Sequence, residues 1–327
     1  VKQEVSFEEK ARNFWNKEHT DKVTGGKKYP LLPRESAHLL RTLGLLNKDA
    51  TMSADQVRKY SQINHMVLLL EPFFQELVQR HKNVRVLDAG CGNSFLTFLL
   101  AWCFQKRWGH PAELVGADSS EKIILGCIEK AESLGLSDTI KFVSTNLATL
   151  DWKECYQRSF LSQVTHNAED TPRPHAVVAL HACDVATDFA LAIAVREKAD
   201  FIAVAPCCQA ELARKWKDLG TRSGTKQPFD VVFKSPHLRR ETAAHITDAM
   251  RVLLMRGCGY EVTATEFVPS NHTPKNRLMT CVRRGRILET ALQEYLELKN
   301  AMGGEGISLE LLLPEEYRKV FSADSVS

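Results

Sequence analysis

No apolar run in this chain approaches the ~20 residues that span a bilayer. The longest, Phe95 to Phe104 and Ala186 to Val195, are short and interrupted, so no membrane span is expected. Charge of one sign is also missing: 43 Lys and Arg stand against 40 Asp and Glu, a net charge of +3. Nucleic-acid binding therefore has to be read from where charge is placed and not from its total. The nine cysteines contain no Cys-x-x-Cys pair, which argues against a zinc ribbon, and no metal is expected. Most of them lie in apolar stretches, as packed free thiols of a reducing compartment do. Val1 to Glu4 are followed by no apolar signal core, so no secretory signal and a cytoplasmic location are expected. Repeats and low-complexity tracts are lacking too. What remains, 327 residues with 44% hydrophobic and 25% charged side chains, is enough to bury a full core.

Organisation follows from hydrophobic periodicity. Residues 1–52 are mixed and polar, with an apolar helical pattern near His38 to Leu46, and read as an N-terminal helical extension. From Ser53, an expected N-cap, Val57, Ile63, Val67, Leu70, Phe74 and Leu77 recur at helical spacing. Short apolar strands then alternate with helices: strands at 84–87, 113–117, 140–144, 176–180 and 201–205, helices at 95–107, 121–134 and 186–198. That alternation predicts an α/β, doubly wound, mostly parallel Rossmann-like sheet covered on both faces. Two last strands, 260–268 and 277–283, have no crossover helix between them and must pair antiparallel, making seven. The domain so defined spans 53–285, and 286–327 read as closing helices.

The sequence Val86-Leu87-Asp88-Ala89-Gly90-Cys91-Gly92-Asn93-Ser94-Phe95 is a strand, a glycine turn and a helix start. Glycines let the backbone turn sharply and approach a ligand, and the amides opening the helix attract a carboxylate or phosphate. Phe95 occupies the place of the third glycine of the dinucleotide pattern, leaving less room for a pyrophosphate. Asp88 before the glycines suits an ammonium group, and Asp118, ending the second strand, lies where an acidic side chain meets ribose hydroxyls. Together they point to a nucleoside cofactor.

At these residues the chain resembles class I S-adenosylmethionine-dependent methyltransferases, over roughly residues 55–285. The resemblance implies S-adenosyl-L-methionine as cofactor. Gly90 and Gly92 would pass beneath its methionine moiety, Asp88 reach its amino group and Asp118 hold its ribose. Ser119 would follow the adenine edge, and Asn146 would stand where the family usually has Asp facing the adenine amine. Asn93, Leu147 and His181 complete the expected cofactor set.

Chemistry in such a sheet lies beyond the strand ends. The fourth strand ends Leu180-His181-Ala182-Cys183-Asp184, without the Asn/Asp-Pro-Pro-Tyr motif of amino-directed nucleic-acid methyltransferases. His181 and Asp184 are the candidate catalytic residues, His181 as a general base or a partner of the cofactor carboxylate. Thr187 and Asp188 are expected to cap the next helix. The fifth strand ends Ala205-Pro206-Cys207-Cys208-Gln209; its cysteine pair is a nucleophile, a thiolate site or a substrate-lining turn, the last or simple packing being favoured. Neither cysteine is expected to be disulfide-bonded or metal-bound. The His-x-Cys-Asp-x-Ala-Thr-Asp run and the Cys-Cys pair are similar to the eukaryotic tRNA 2′-O-methyltransferases and uncharacterised bacterial relatives, without their zinc fingers.

Residues 211–240 hold eight basic side chains (Arg214, Lys215, Lys217, Arg222, Lys226, Lys234, Arg239 and Arg240) against three acidic ones, with Trp216, Phe229 and Phe233 among them. Basic groups follow phosphates and aromatic faces stack bases, so this segment is read as a single-stranded RNA platform, against a solvated helix with inward aromatics. Cys207, Cys208, Lys215, Lys217, Lys275 and Asn276 are the expected substrate residues, with Arg58, Lys59, Gln62, Asn64 and His65 as a rim. The function expected is methyl transfer to RNA, tRNA or rRNA. A small-molecule or protein methyltransferase, or a non-catalytic RNA-binding module on the same fold, stand as alternatives.

Overall fold

Seven strands in the order β3-β2-β1-β4-β5-β7-β6 form the centre of the computed structural model, which describes residues 6–161, 172–180, 182–206, 208–221, 229–267 and 277–319. They are β1 (Val84–Ala89), β2 (Ala112–Asp118), β3 (Ile140–Ser144), β4 (Ala176–Ala179), β5 (Phe201–Val204), β6 (Tyr260–Glu266) and β7 (Arg277–Arg283). β1 to β5 pair parallel, and β7 runs antiparallel between β5 and β6. The expected doubly wound sheet with a terminal antiparallel pair is therefore present. Strand order reverses between β1 and β4, which opens a crevice at their carboxyl ends.

Helices α1 (Phe7–Phe14), α2 (Lys17–Thr24) and α3 (Ala37–Thr42) precede α4 (Ala54–Arg80). Ser53 caps α4 through a capping box: the Gln56 amide donates to Ser53 Oγ (3.3 Å) and the Ser53 amide to Gln56 Oε1 (2.7 Å). α5 (Phe95–Trp102) continues as a π-helical turn, Cys103–Trp108, where the periodicity predicts one helix to Arg107. α6 (Glu121–Ser133) and α8 (Val185–Arg196) match their expected positions, and α7 (Trp152–Phe160), which periodicity missed, lies between them. The basic segment folds as α9 (Glu211–Thr221) and α10 (Asp230–Lys234), and α11 (Pro236–Gly257) leads to β6. α12 (Glu289–Ala301), α13 (Ser308–Leu312) and α14 (Glu315–Arg318) close the described chain.

Alternate strand residues feed two cores, as a pleated sheet requires. Leu87, Val115, Val177 and Ile202 join residues of α7, α8, α9, α11 and α12 on one face. Val86, Leu114, Val178 and Ala203 join α4, α5, α6 and the extension's Trp15, Leu31 and Leu40 on the other. The N-terminal extension thus shares the core of the sheet's second face. No helix among the described residues is long and apolar enough to cross a membrane.

Candidate active site

The parallel register brings three strand ends to one edge. Asp88 of β1 stands opposite Gly116, and Asp118 of β2 opposite Ser144 of β3. Beyond β1 the chain turns through Gly90 (φ +75°), Gly92 (φ +51°) and Ser94 (φ +59°). The turn is held by the amides of Gly90 and Cys91, which donate to the Ala117 carbonyl (2.8 and 3.0 Å). Gly90 suits this turn through its positive φ, which L side chains rarely adopt, whereas an added Cβ would only make ordinary contact with Ala182 at 3.5 Å. Among the described residues, and apart from its chain neighbours, no atom lies within 4 Å of where a Gly92 Cβ would be, which leaves that side of its backbone open to a ligand.

Asp118 organises this turn. One carboxylate oxygen accepts from the Gly92 amide (3.0 Å) and the other from the Ser120 amide (2.9 Å). Each oxygen retains acceptor capacity for a further donor such as a hydroxyl. Ser119 and Asn93 are exposed beside it. Asn146, also exposed, accepts the Ala148 amide on its Oδ1 (2.9 Å), an Asx turn that uses one of the two lone pairs of the oxygen expected to face an adenine amine. Leu147 packs against the core. The expected cofactor residues Asp88, Gly90, Gly92, Asn93, Asp118, Ser119, Asn146 and Leu147 therefore sit along one edge; His181 lies outside the described residues.

Asp88 is 3% exposed, and Thr97 Oγ1 donates to its Oδ2 at 2.5 Å. Burial pushes its carboxyl up to about 7, against the Thr97 hydrogen bond, with Asp118 adding to the rise. No ion pair to Asp88 occurs among the described residues, so the ammonium of S-adenosylmethionine fits this group by supplying the missing positive charge. The sign follows. A carboxyl whose pKa is raised on folding loses stability as pH climbs from about 4 to about 7, and a bound ammonium reverses that cost. Affinity for S-adenosylhomocysteine, which carries the same ammonium, is expected to rise about tenfold from pH 6 to pH 8. Calorimetry across that range, with Asp88→Asn as a flat control, measures it; a wild-type profile as flat as the variant's rejects the assignment.

The ends of β4 and β5 form the opposite wall. The Asp184 amide donates to the Cys208 carbonyl (3.0 Å), joining the two turns. Asp184 holds φ +54° and ψ −121°, a strained conformation for a residue with a Cβ. Its Oδ1 accepts from the Ala210 and Glu211 amides (2.8 and 2.9 Å) and its Oδ2 from Arg214 (2.8 Å). Burial opposes but does not overcome these bonds, and the carboxyl is held below its ordinary value. Asp184, expected as a catalytic group, is thus ionised and committed to the start of α9. Thr187 does not cap α8 either: its hydroxyl donates back to the Ala182 carbonyl (2.6 Å).

Cys208 and six other cysteines form no disulfide. Cys183 is disulfide-bonded, contrary to the reading of the cysteines as packed free thiols. Cys207 lies outside the described residues, as do Lys275 and Asn276. The described residues hold no cluster of metal-ligating side chains.

Beneath both turns lies a charged network without a sequence signal. Arg251 of α11 is 1% exposed; its Nε donates to Asp188 Oδ1 (2.7 Å) and its Nη2 to the Asp184 carbonyl (2.9 Å). Asp248 accepts from Arg251 Nη1 (3.3 Å), Arg277 Nη1 (2.8 Å) and Gln209 Nε2 (3.1 Å). Asp188, expected as a helix cap, is instead a buried partner of Arg251.

Beside the β5 turn a cleft of about 430 Å³ is lined by Gln209, Arg214, Lys217, Arg239, Arg240 and Glu241. The aromatics expected there face the other way: Trp216 and Phe233 are 0% and 1% exposed, and Phe229 packs against the same core. The stacking platform is therefore not formed, because the helices of this segment spend their aromatics on the sheet's first face. Lys215, expected to meet substrate, pairs with Glu211 (2.8 Å) and donates to the Gly306 carbonyl (2.7 Å), holding α9 to the chain before α13. Lys217 alone of the two lines the cleft. On the expected rim, Arg58 and Lys59 pair with Asp55, and Asn64 is buried accepting the Leu31 amide.

Residues 58–215 match the family model described as a methyltransferase domain. No curated protein matches the chain. Solved structures similar to it include the CMeT domain of the citrinin polyketide synthase (17% identity, 85% of this chain and 65% of that one, TM-score 0.38). Others are a putative rRNA methylase from Clostridium thermocellum (16%, 65% and 94%, 0.34) and the Podospora anserina methyltransferase PaMTH1 (12%, 83% and 97%, 0.41). The chain spans about two thirds of the first of these. With the glycine turn, Asp88, Asp118 and the terminal antiparallel strand all in place, residues 58–215 are similar to a methyltransferase domain, and the sheet has the Rossmann-like organisation of the class I fold.

Proposed function

We propose that this protein transfers the methyl group of S-adenosylmethionine to RNA, tRNA or rRNA, in the branch similar to the tRNA 2′-O-methyltransferases. The observation that carries the reading is the cationic cleft against the β5 turn, on the side of the crevice away from Asp118. S-adenosylmethionine, when bound, supplies an electrophilic methyl group on a sulfonium centre. Asp88 meets its ammonium, Asp118 its ribose, and the open backbone at Gly92 lets it lie close.

Displacement at a methyl group asks the protein for positioning and for an acceptor in the right protonation state. The joined turns of Asp184 and Cys208 form a fixed wall for that purpose, held from below by Arg251. Because Asp184 already accepts three hydrogen bonds, His181 is the better candidate base, histidine being the side-chain type suited to proton transfer near neutral pH.

The test is transfer of labelled methyl from S-adenosylmethionine onto total RNA, protein extract and small-molecule extract in parallel. Label that ribonuclease releases is expected. Label confined to the protein or small-molecule fraction overturns the RNA assignment in favour of the corresponding substrate.

A further inference from the structure

We infer that the cleft engages folded RNA through its phosphate backbone and not single strands through stacked bases. This inference rests on the RNA reading above. The eight basic residues of 211–240 separate by their partners. Lys215 and Lys234 are spent on Glu211 and Asp230 within their own helices. Arg214 is held by Asp184, and Arg239 Nη1 donates to the Phe233 carbonyl (2.6 Å), so both guanidinium groups are fixed in place at the cleft. Lys217 and Arg240 are exposed, line the same cleft and have no ion pair among the described residues. Arg222 and Lys226 lie outside those residues.

Proteins that hold single-stranded RNA without regard to sequence combine a cationic groove with aromatic faces, and those that read sequence stack splayed bases. Here Trp216 and Phe233 are buried in the core, Phe229 packs against it half-buried, and residues 222–228 contain no Phe, Trp or Tyr. What the cleft presents is cations at fixed places, the chemistry that meets the regularly spaced phosphates of a helical RNA. Glu241, in the same cleft, opposes them and sets how much negative charge is tolerated. Lys217 and Arg240 make the contacts, and Arg214 and Arg239 shape the field.

The experiment is equilibrium binding of the full chain to an RNA hairpin and to an unstructured single strand of equal length, from low to moderate salt. Hairpin affinity at least tenfold tighter is expected. So is a salt dependence that loses ~0.9 in log–log slope for each contact removed, in Lys217→Ala and in Arg240→Ala. Both side chains are exposed and outside the core, and unchanged S-adenosylhomocysteine affinity checks that the variants fold. Glu241→Gln, which removes an acid from the cleft, is expected to tighten hairpin binding severalfold.

Equal or tighter binding of the single strand overturns this inference and leaves the RNA reading standing. The same holds if hairpin binding is indifferent to all three substitutions. Absence of binding to either RNA, together with no label in RNA in the transfer assay, overturns the RNA reading itself.

Discussion

Arg251→Met is expected to destabilise the fold by about 3–5 kcal/mol, because it removes one partner of a buried ion pair and leaves the other charge uncompensated. Arg251 and Asp188 are 1% and 0% exposed, so water cannot replace the lost bond without opening the contact between α8 and α11. Burial pushes the Asp188 carboxyl up to about 6 even with Arg251 opposing the rise, so without the guanidinium its ionised form becomes still less favourable. Denaturant unfolding measures the loss. Arg251→Met combined with Asp188→Leu is expected to recover much of it, since whole buried pairs are often replaceable by apolar residues. A single-variant loss below about 1 kcal/mol would show that the pair is solvated. The folded fraction of the variant should also lose the hydrogen bond to the Asp184 carbonyl, and with it the support for a strained turn.

Asp118→Ala is expected to weaken S-adenosylhomocysteine binding by ~1–3 kcal/mol, some five- to 150-fold, the range for hydrogen bonds to a charged group. The side chain has two roles, accepting from the ribose diol and holding the Gly92 and Ser120 amides. Asp118→Asn separates them: it preserves the shape and part of the hydrogen bonding, and its loss should be intermediate. Calorimetry is the measurement, and unchanged affinity in Asp118→Ala rejects the ribose assignment.

Much of this was legible from local pattern. Strand and helix alternation from Val84 to Val204 reports burial on both sheet faces, and the absence of a crossover before Arg277 requires antiparallel pairing, so the class of the sheet and its antiparallel end follow from periodicity, while the strand order does not. The turn at Gly90 and Gly92 is legible because positive φ is a backbone demand that residue type answers directly. Asp118 is legible because parallel strands of similar length end together.

The direction a side chain faces is decided elsewhere. Trp216 and Phe233 look the same in sequence whether they stack a base or fill a core, and only the packing of α9 and α10 against the sheet's first face turns them inward. Lys215 and Lys217 are two residues apart and identical in type, yet one is tied to Glu211 and Gly306 and the other opens on the cleft. Asp184 reads as a catalytic candidate until the amides of Ala210 and Glu211, at the start of α9, are brought onto that carboxylate. Arg251 is one basic residue in a helix; its partners Asp188 and Asp184 lie more than sixty positions away. Backbone chemistry and burial are local and periodic, so the sequence carries them openly. Charge pairing depends on which distant groups share a small volume, and that exists only once the sheet has brought them together.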